Sequence, residues 1–174
     1  MTEKEFMNRI GKSRVDFLQL VLDILKKNKT PFCVVGGLAV NAYAEPVVSL
    51  DLDIVVVAGK LDYFVSILEK RFTVKKYPNS INASMKGSDF RLQIQTDPRY
   101  FPFVKRAVAR TVLGYRMPVA KIEDVLQGKI WSALDKTRRP SKRQKDLADI
   151  LRLIETKPKL TSLLPSTLKK QLRL

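Results

Sequence analysis

The chain has 174 residues, with 33 Lys and Arg against 17 Asp and Glu and no His, which gives a formal net charge of +16. Because 45% of the residues are hydrophobic, the chain can form a domain with a substantial core. The absence of His excludes Ser-His-Asp and Cys-His catalysis and histidine-ligated zinc. Catalysis must therefore use carboxylates, lysine, arginine, hydroxyl groups or a metal held by oxygen ligands.

Three features predict a soluble cytoplasmic protein. The single cysteine excludes an internal disulfide and suits a reducing compartment. The first residues are too charged for a signal peptide. No apolar run approaches the ~20 residues that a membrane helix needs, so no membrane contact is expected.

The positive charge lies mainly in the second part of the chain. Residues 1–98 carry 14 basic and 11 acidic side chains, a net charge of +3, whereas residues 99–174 carry 19 and 6, a net charge of +13. Such a field attracts polyanions, either nucleic acid or a nucleoside triphosphate. Lysine-rich helix faces that serve only solubility would give the same count.

Hydrophobic periodicity predicts strands followed mainly by helices. The first part begins with two helices, and Ser13 is expected to cap the longer one. The segments that follow are a strand at 32–35, a helix at 38–44, a strand at 47–57, a helix at 61–71, a strand at 72–77 and a hairpin from 81–86 and 90–95. Later segments are a short helix at 103–108, an extended segment at 111–119, a helix at 122–134, a helix from Ser141 to 155 and a helical tail at 160–174. This order predicts an α+β (mixed α/β) fold: a sheet region at 1–98 and a basic helical region at 99–174, packed as one compact domain.

The motif Asp51-Leu52-Asp53 is the first candidate site. Ser49, Asp51 and Asp53 alternate along a predicted strand and so lie on one face of it. Two such carboxylates can hold a hard divalent cation together with substrate phosphates. A half-exposed strand with a polar face is the alternative, because a D-x-D motif also arises by chance. Unpaired carboxylates are costly to bury, so they should face a metal, a cleft or solvent.

The pair Gly36-Gly37 is the second candidate. It ends a predicted strand and precedes a helix, where glycines let the backbone approach a phosphate closely. Neither a P-loop nor a G-x-G-x-x-G fingerprint is present. A tight turn between strand and helix is the simpler explanation of these two glycines taken alone.

Two segments together resemble a known family. VVGGLAVNAYAEPVVSLDLDIVVV resembles the core of the polymerase β-like nucleotidyltransferase superfamily, whose hG[G/S] turn and D-x-D strand bind a nucleoside triphosphate and Mg²⁺. QGKIWSALDKTRRPSKRQKDLADILRL is similar to the C-terminal signature of the AbiEii and MenT-like group of type IV toxins, in which a helical lysine and a basic loop precede a KD-x-x-D helix. The resemblance covers about residues 32–57 and 121–155.

The resemblance implies a role for each matching residue. Gly36 and Gly37 would cradle the triphosphate with Ser49 nearby, Asp51 and Asp53 would ligate Mg²⁺ or Mn²⁺, Lys129 would contact phosphate, and Asp146, or else Asp149, would complete the site. The residues themselves leave simpler explanations open. Asp146 and Asp149 could form surface ion pairs with neighbouring lysines, and Lys129 could be a surface side chain whose stem covers the core.

One departure from the superfamily concerns a third carboxylate that many members supply from a later strand. The polar face of the predicted strand at 90–95 carries Arg91, Gln93 and Gln95, and no acid. Asp89 precedes this strand in a turn. Glutamine can offer a carbonyl oxygen to a metal but cannot act as a base, so positioning and charge neutralisation would have to supply most of the rate acceleration.

The sequence therefore predicts a Mg²⁺-dependent nucleotidyltransferase that passes a nucleoside monophosphate from a triphosphate to an acceptor hydroxyl. The basic cluster at 138–145 favours RNA such as tRNA as the acceptor, and the AbiEii-like resemblance suggests a toxin with a cognate antitoxin protein. One alternative is transfer to a small molecule of the antibiotic type, since lincosamide-modifying enzymes have a similar core. The other is a non-catalytic module that binds nucleotide or RNA.

Overall fold

The computed structural model describes all 174 residues and contains a single seven-stranded mixed sheet. The strands are β1 (Phe32–Val35), β2 (Asp51–Val56), β3 (Thr73–Tyr77), β4 (Ser80–Ser84), β5 (Arg91–Gln95), β6 (Val108–Val112) and β7 (Tyr115–Val119). The helices are α1 (Glu3–Ile10), α2 (Phe17–Lys27), α3 (Gly36–Val40), α4 (Ala58–Leu68), α5 (Pro102–Arg106), α6 (Ile122–Leu134), α7 (Pro140–Thr156) and α8 (Ser166–Leu172), with 3₁₀ turns at Pro98–Tyr100 and Pro158–Leu163. The predicted mixed α+β fold is confirmed.

The order of strands in the sheet is β3-β4-β5-β2-β1-β7-β6, so β2 and β1 lie at its centre. Strand β2 pairs antiparallel with β1 and parallel with β5. The alternation in β2 matches its burial, because Leu52 and Ile54 are fully buried while Asp51 and Asp53 remain partly exposed. The apolar face of β2 is therefore anchored in the core, and its two carboxylates are held on the opposite face.

The extended segment predicted at 111–119 is a hairpin that joins the sheet. Strands β6 and β7 are connected through Leu113 and Gly114, both with positive φ, and β7 pairs parallel with β1 at Val34 and Val119. The division between residues 98 and 99 stays a prediction, and β7 continues the sheet beyond it. Helices α6 and α7 pack against each other and against α3, which places them beside the turn that follows β1.

The two predicted helix caps, Ser13 and Ser141, were wrong. Helix α2 is capped by Asp16 rather than by Ser13, because Asp16 Oδ1 accepts a hydrogen bond from the Gln19 backbone at 3.1 Å and another from the Tyr115 hydroxyl at 2.9 Å. Helix α7 begins at Pro140, one residue before the predicted cap, because proline suits the first position of a helix. None of the helices combines the length and apolar character that crossing a membrane requires.

Gly11, which ends α1, allows a close approach to the core. A Cβ atom at this position would lie 2.2 Å from Cε2 of the buried Phe90 ring. We expect Gly11→Ala to lower the free energy of unfolding by about 1–3 kcal/mol, the usual cost of overpacking. Gly59→Ala in α4 is the matched control, since a Cβ there meets nothing within 4 Å, and it should leave stability unchanged or raise it. Urea unfolding measures both, and equal stability of the two variants would contradict the packing described here.

Candidate active site

The turn after β1 lies directly against the D-x-D strand. Val35, the last residue of β1, pairs with Asp53 of β2, and Gly36 follows with φ +67°. A Cβ atom on Gly36 would lie 2.2 Å from Oδ2 of Asp53. Glycine is therefore required here for two reasons, the left-handed backbone and the close approach of the Asp53 carboxylate.

Gly37 and Ser49 meet next to this turn. A Cβ atom on Gly37 would lie 3.3 Å from the Ser49 hydroxyl oxygen. Ser49 is buried, and its hydroxyl donates a hydrogen bond of 3.3 Å to the backbone carbonyl of Asp51. The structure thus groups Gly36, Gly37, Ser49 and Asp53 around the start of α3.

Asp51 is engaged by an arginine from the neighbouring parallel strand. In the β2–β5 register Asp51 faces Arg91 and Asp53 faces Gln93. Arg91 Nε lies 3.0 Å and Arg91 Nη2 lies 2.9 Å from Asp51 Oδ1. The place where a third carboxylate would stand beside Asp53 is therefore occupied by an amide.

A small cavity of about 60 Å³ lies between the centre of the sheet and helices α6 and α7, and we call it the inner cavity. It brings together Gly36, Asp53, Lys129 and Asp146, which are far apart in the chain. The remaining lining residues are Val35, Gln93, Gln95, Tyr100, Asp124, Val125, Gly128, Ser132 and Arg138. Asp51 and Asp149 lie outside this lining.

Lys129 is buried within an ion-pair network that joins α6 to α7. Its Nζ lies 3.0 Å from Asp146 Oδ1 and 2.6 Å from Asp149 Oδ2. Burial acts to lower the pKa of Lys129, but the charges of Asp149 and Asp146 outweigh this effect and raise the pKa above its ordinary value. The lysine is therefore held as a cation at the wall of the inner cavity.

Two arginines complete this network. Arg138 Nε lies 2.7 Å from Asp146 Oδ2, and Arg152 Nη1 lies 2.7 Å from Asp149 Oδ1. Both aspartates are 2–3% exposed and Lys129 is 7% exposed. The alternatives that the aspartates form surface ion pairs and that Lys129 is a surface side chain are therefore wrong. Sequence reasoning placed Arg138 in the RNA-binding cluster and gave Arg152 no role.

Asp53 differs from the other acids of the inner cavity because it has no partner. Asp124 pairs with Arg106 at 2.7 Å and Asp146 pairs with Lys129 and Arg138. Burial and the negative charge of Asp51 raise the pKa of Asp53 to about 6. A cation placed at this carboxylate would relieve both effects.

The donor set near Asp53 fits a hard divalent cation. Asp51 and Asp53 lie on the same face of β2, and Arg91 binds only one oxygen of Asp51. No group of three His, Cys, Asp or Glu side chains gathers as a metal site. A cation held by these two carboxylates would therefore take its other ligands from substrate phosphates and water, as Mg²⁺ commonly does.

Solved structures of three proteins share this fold. The antibiotic-resistance factor ANT(2″)-Ia, in complex with adenylyl-2″-tobramycin, is 15% identical with a TM-score of 0.61 over 90% of this chain and 94% of that one. The lincosamide antibiotic adenylyltransferase LnuA, with lincomycin bound, is 13% identical with a TM-score of 0.55 over 78% and 95%. An antigenic nucleotidyltransferase-like protein from Paracoccidioides brasiliensis is 14% identical with a TM-score of 0.58 over 98% and 90%. At these identities the likeness shows the fold alone.

The family comparison covers the later part of the chain. A search of curated protein sequences gave no match. The family model described as nucleotidyl transferase AbiEii toxin, type IV TA system, matches residues 70–173, more than half of the chain. This range contains Lys129, Asp146 and the basic loop between them, and it begins after β2. The chain belongs to the AbiEii family of nucleotidyltransferases.

Proposed function

We propose that this nucleotidyltransferase uses Mg²⁺, or Mn²⁺, to transfer a nucleoside monophosphate from a nucleoside triphosphate to a hydroxyl group of an RNA such as tRNA. The observation that carries the proposal is the unpaired Asp53 carboxylate, which shares the inner cavity with Gly36, Lys129 and Asp146. In the reaction the acceptor hydroxyl loses its proton to water, its oxygen bonds to the α-phosphorus, and the bond between that phosphorus and pyrophosphate breaks.

Different residues around the inner cavity would bind the metal ion and the triphosphate. Asp51 and Asp53 would hold the metal ion, which when bound neutralises phosphate charge and polarises the reacting phosphoryl group. Gly36 and Gly37 would admit the triphosphate to the turn after β1, with Ser49 supporting the turn. Lys129 donates a hydrogen bond to Asp146 and forms an ion pair with Asp149, and a further N–H of its ammonium group would bind a phosphate oxygen.

The role proposed for Asp146 is to position Lys129 and Arg138 rather than to act as a base. Its two oxygens are bound by those two cations, so it is poorly placed to accept a proton. Gln93 stands beside Asp53 where a base would otherwise stand. Rate acceleration would then come mainly from positioning and charge neutralisation, which dominate phosphoryl transfer.

RNA is favoured as the acceptor by a basic segment at 136–145, here called the basic loop, which comprises the connection between α6 and α7 and the first turns of α7. Lys136, Arg139 and Lys145 are exposed and form no ion pair within the chain, whereas Arg138 in the same loop reaches the inner cavity. Contacts with phosphates would give RNA affinity that does not depend on base sequence. The family's description as a toxin of a toxin-antitoxin system supports a toxin role with an antitoxin protein as partner.

A second candidate is transfer to a small molecule of the antibiotic type. The shared fold with ANT(2″)-Ia and LnuA favours it. The two candidates differ in their salt dependence, because a neutral small acceptor adds no phosphate contacts to those of the triphosphate.

Replacement of the strand carboxylates tests the site directly. We expect Asp51→Asn combined with Asp53→Asn to lower incorporation of labelled nucleotide by about 100-fold or more, because the metal would lose both of its carboxylate ligands. Asp62→Asn, on the exposed face of α4, is the control and should retain activity. Unchanged incorporation by a correctly folded double variant would refute the assignment of these residues.

Gly36→Ala tests whether the turn requires glycine only for its backbone conformation or also for the close approach of the Asp53 carboxylate. Gly87 also has a positive φ, +82°, but a Cβ there meets nothing within 4 Å. Both alanine variants should therefore lose about 1 kcal/mol of stability from strain, whereas only Gly36→Ala displaces Asp53 and should lose incorporation. Urea unfolding and the incorporation assay measure the two effects. Equal activity of the two variants would show that the turn is only structural.

The salt dependence of RNA modification tests the basic loop. Replacing Lys136, Arg139 and Lys145 together by alanine should reduce the slope of log affinity against log salt by about 2. The control replaces Arg14, Lys26 and Lys27, three exposed cations that line neither the inner cavity nor the loop. If the loop variant and the control have the same slope, the proposal that this loop binds an RNA acceptor is incorrect.

A further inference from the structure

A second and larger cavity shares a wall with the inner cavity, and we call it the outer cavity. Its volume is about 590 Å³, which lies within the range of small-molecule sites. Gln93, Gln95, Tyr100, Ser132 and Arg138 line both cavities. The inner cavity, at about 60 Å³, has about a tenth of that volume. The greater part of any nucleotide must therefore lie outside it, and the outer cavity is the adjoining space.

One wall of the outer cavity is a cation–π pair, Arg99 over Trp131. The Arg99 guanidinium lies 4.6 Å from the centroid of the Trp131 ring. Tyr100 contacts this ring edge-on at 5.1 Å, and Phe103 lies parallel to it at 5.9 Å. The indole is thus fixed by its aromatic neighbours and supports the guanidinium above it.

Arg99 is held in place although it is exposed. Its Nε and Nη2 donate hydrogen bonds of 2.9 and 2.7 Å to Asp97 Oδ2, and 57% of its side chain remains accessible. The hydrogen bonds from Arg99 also hold the pKa of Asp97 below its usual range. A fixed and accessible guanidinium plane over an aromatic ring is a platform on which nucleobases stack.

Recognition of a nucleobase also requires groups that bind its polar edge, and two amides on β5 can provide them. Gln93 and Gln95 lie on the polar face of β5 and line both cavities. The side-chain hydrogen bonds near this wall are made by Arg91, Arg99 and Tyr100, so the two amides are free to bind a ligand. An amide offers both a donor and an acceptor, which matches the edge of a nucleobase.

The charges of the outer cavity do not suit a polycation. Its lining carries two acids, Asp97 and Asp135, and two arginines, Arg99 and Arg138, so it has no excess of negative charge with which to bind a polycation. Arg138 lies where the two cavities meet. An uncharged base with its phosphate directed toward Arg138 fits this distribution better than an amine-rich antibiotic does.

We propose that the outer cavity is a nucleoside-binding subsite. The base stacks against the guanidinium of Arg99 over Trp131, the Gln95 amide binds the edge of the base, and the attached phosphate points to Arg138 and the inner cavity. The assignment rests on the proposed nucleotidyl transfer, because it supplies a subsite for that reaction. The nucleoside belongs either to the incoming triphosphate or to the terminal nucleotide of the RNA acceptor.

Trp131 provides a direct probe, because it is the only tryptophan of the chain. Nucleoside 5′-monophosphates are titrated into the full-length protein in EDTA, so that the signal does not depend on a metal ion. We expect saturable quenching of Trp131 fluorescence, and Arg99→Ala and Gln95→Leu should each weaken binding about tenfold. Arg14→Ala is the matched control for loss of one exposed arginine and should bind as the wild type does.

Equilibrium dialysis with labelled monophosphate repeats the measurement without the optical probe. Linear, non-saturating quenching, or wild-type binding by Arg99→Ala, overturns the proposal. Transfer activity in a protein whose Trp131 signal stays flat overturns this subsite alone. Saturable binding in a protein that incorporates no nucleotide overturns the proposed function alone.

Competition identifies the source of the nucleoside. The protein is first saturated with a non-hydrolysable triphosphate and Mg²⁺, and a short single-stranded RNA with a free 3′-hydroxyl is then added. If the triphosphate abolishes further quenching by the RNA, the subsite binds the base of the triphosphate. If the RNA quenches equally with and without the triphosphate, the subsite binds the terminal nucleotide of the acceptor. Either result supports the subsite, and RNA and triphosphate that both leave the fluorescence unchanged contradict it.

Discussion

The buried charge of Lys129 is the constraint around which the helical side of the site is organised. A lysine in this position must be neutralised, because an uncompensated buried charge costs several kcal/mol. Asp146 and Asp149 of α7 provide the neutralising charge, and Arg138 and Arg152 bind their remaining oxygens. This arrangement locks α7 against α6. It also explains why two aspartates three residues apart are almost completely buried.

The same network leaves one acid of the site without a cationic partner. Cations neutralise Asp146, Asp149 and Asp124, and Arg91 binds one oxygen of Asp51. Asp53 alone faces the inner cavity without a partner, at a point where the backbone of Gly36 leaves no room for a side chain. The helices therefore present positive charge and the sheet presents negative charge across one small space. A metal ion and a triphosphate together would satisfy both sides.

Much of this arrangement could be predicted from local sequence patterns, and the remainder depends on distant contacts. Alternation identified the polar face of β2, and the Gly-Gly pair identified the turn beside it. The strand predicted at 47–57 begins only at Asp51, because the Asn41 side chain bonds both backbone groups of Val47 and Arg152 reaches Asn41 from α7. The burial of Lys129 could not be predicted from the sequence either, because helical periodicity does not distinguish a buried ion pair from a surface one. The role of Arg138 was missed because it lies within a run of exposed cations.

We propose that Asp51 and Asp53 bind a divalent cation that in turn holds the triphosphate. Isothermal titration with a non-hydrolysable nucleoside triphosphate, in Mg²⁺ and then in EDTA, examines this binding without the need for turnover. We expect binding at least about tenfold tighter with Mg²⁺, equivalent to about 1.4 kcal/mol or more. Equal affinity in Mg²⁺ and in EDTA would contradict the proposal.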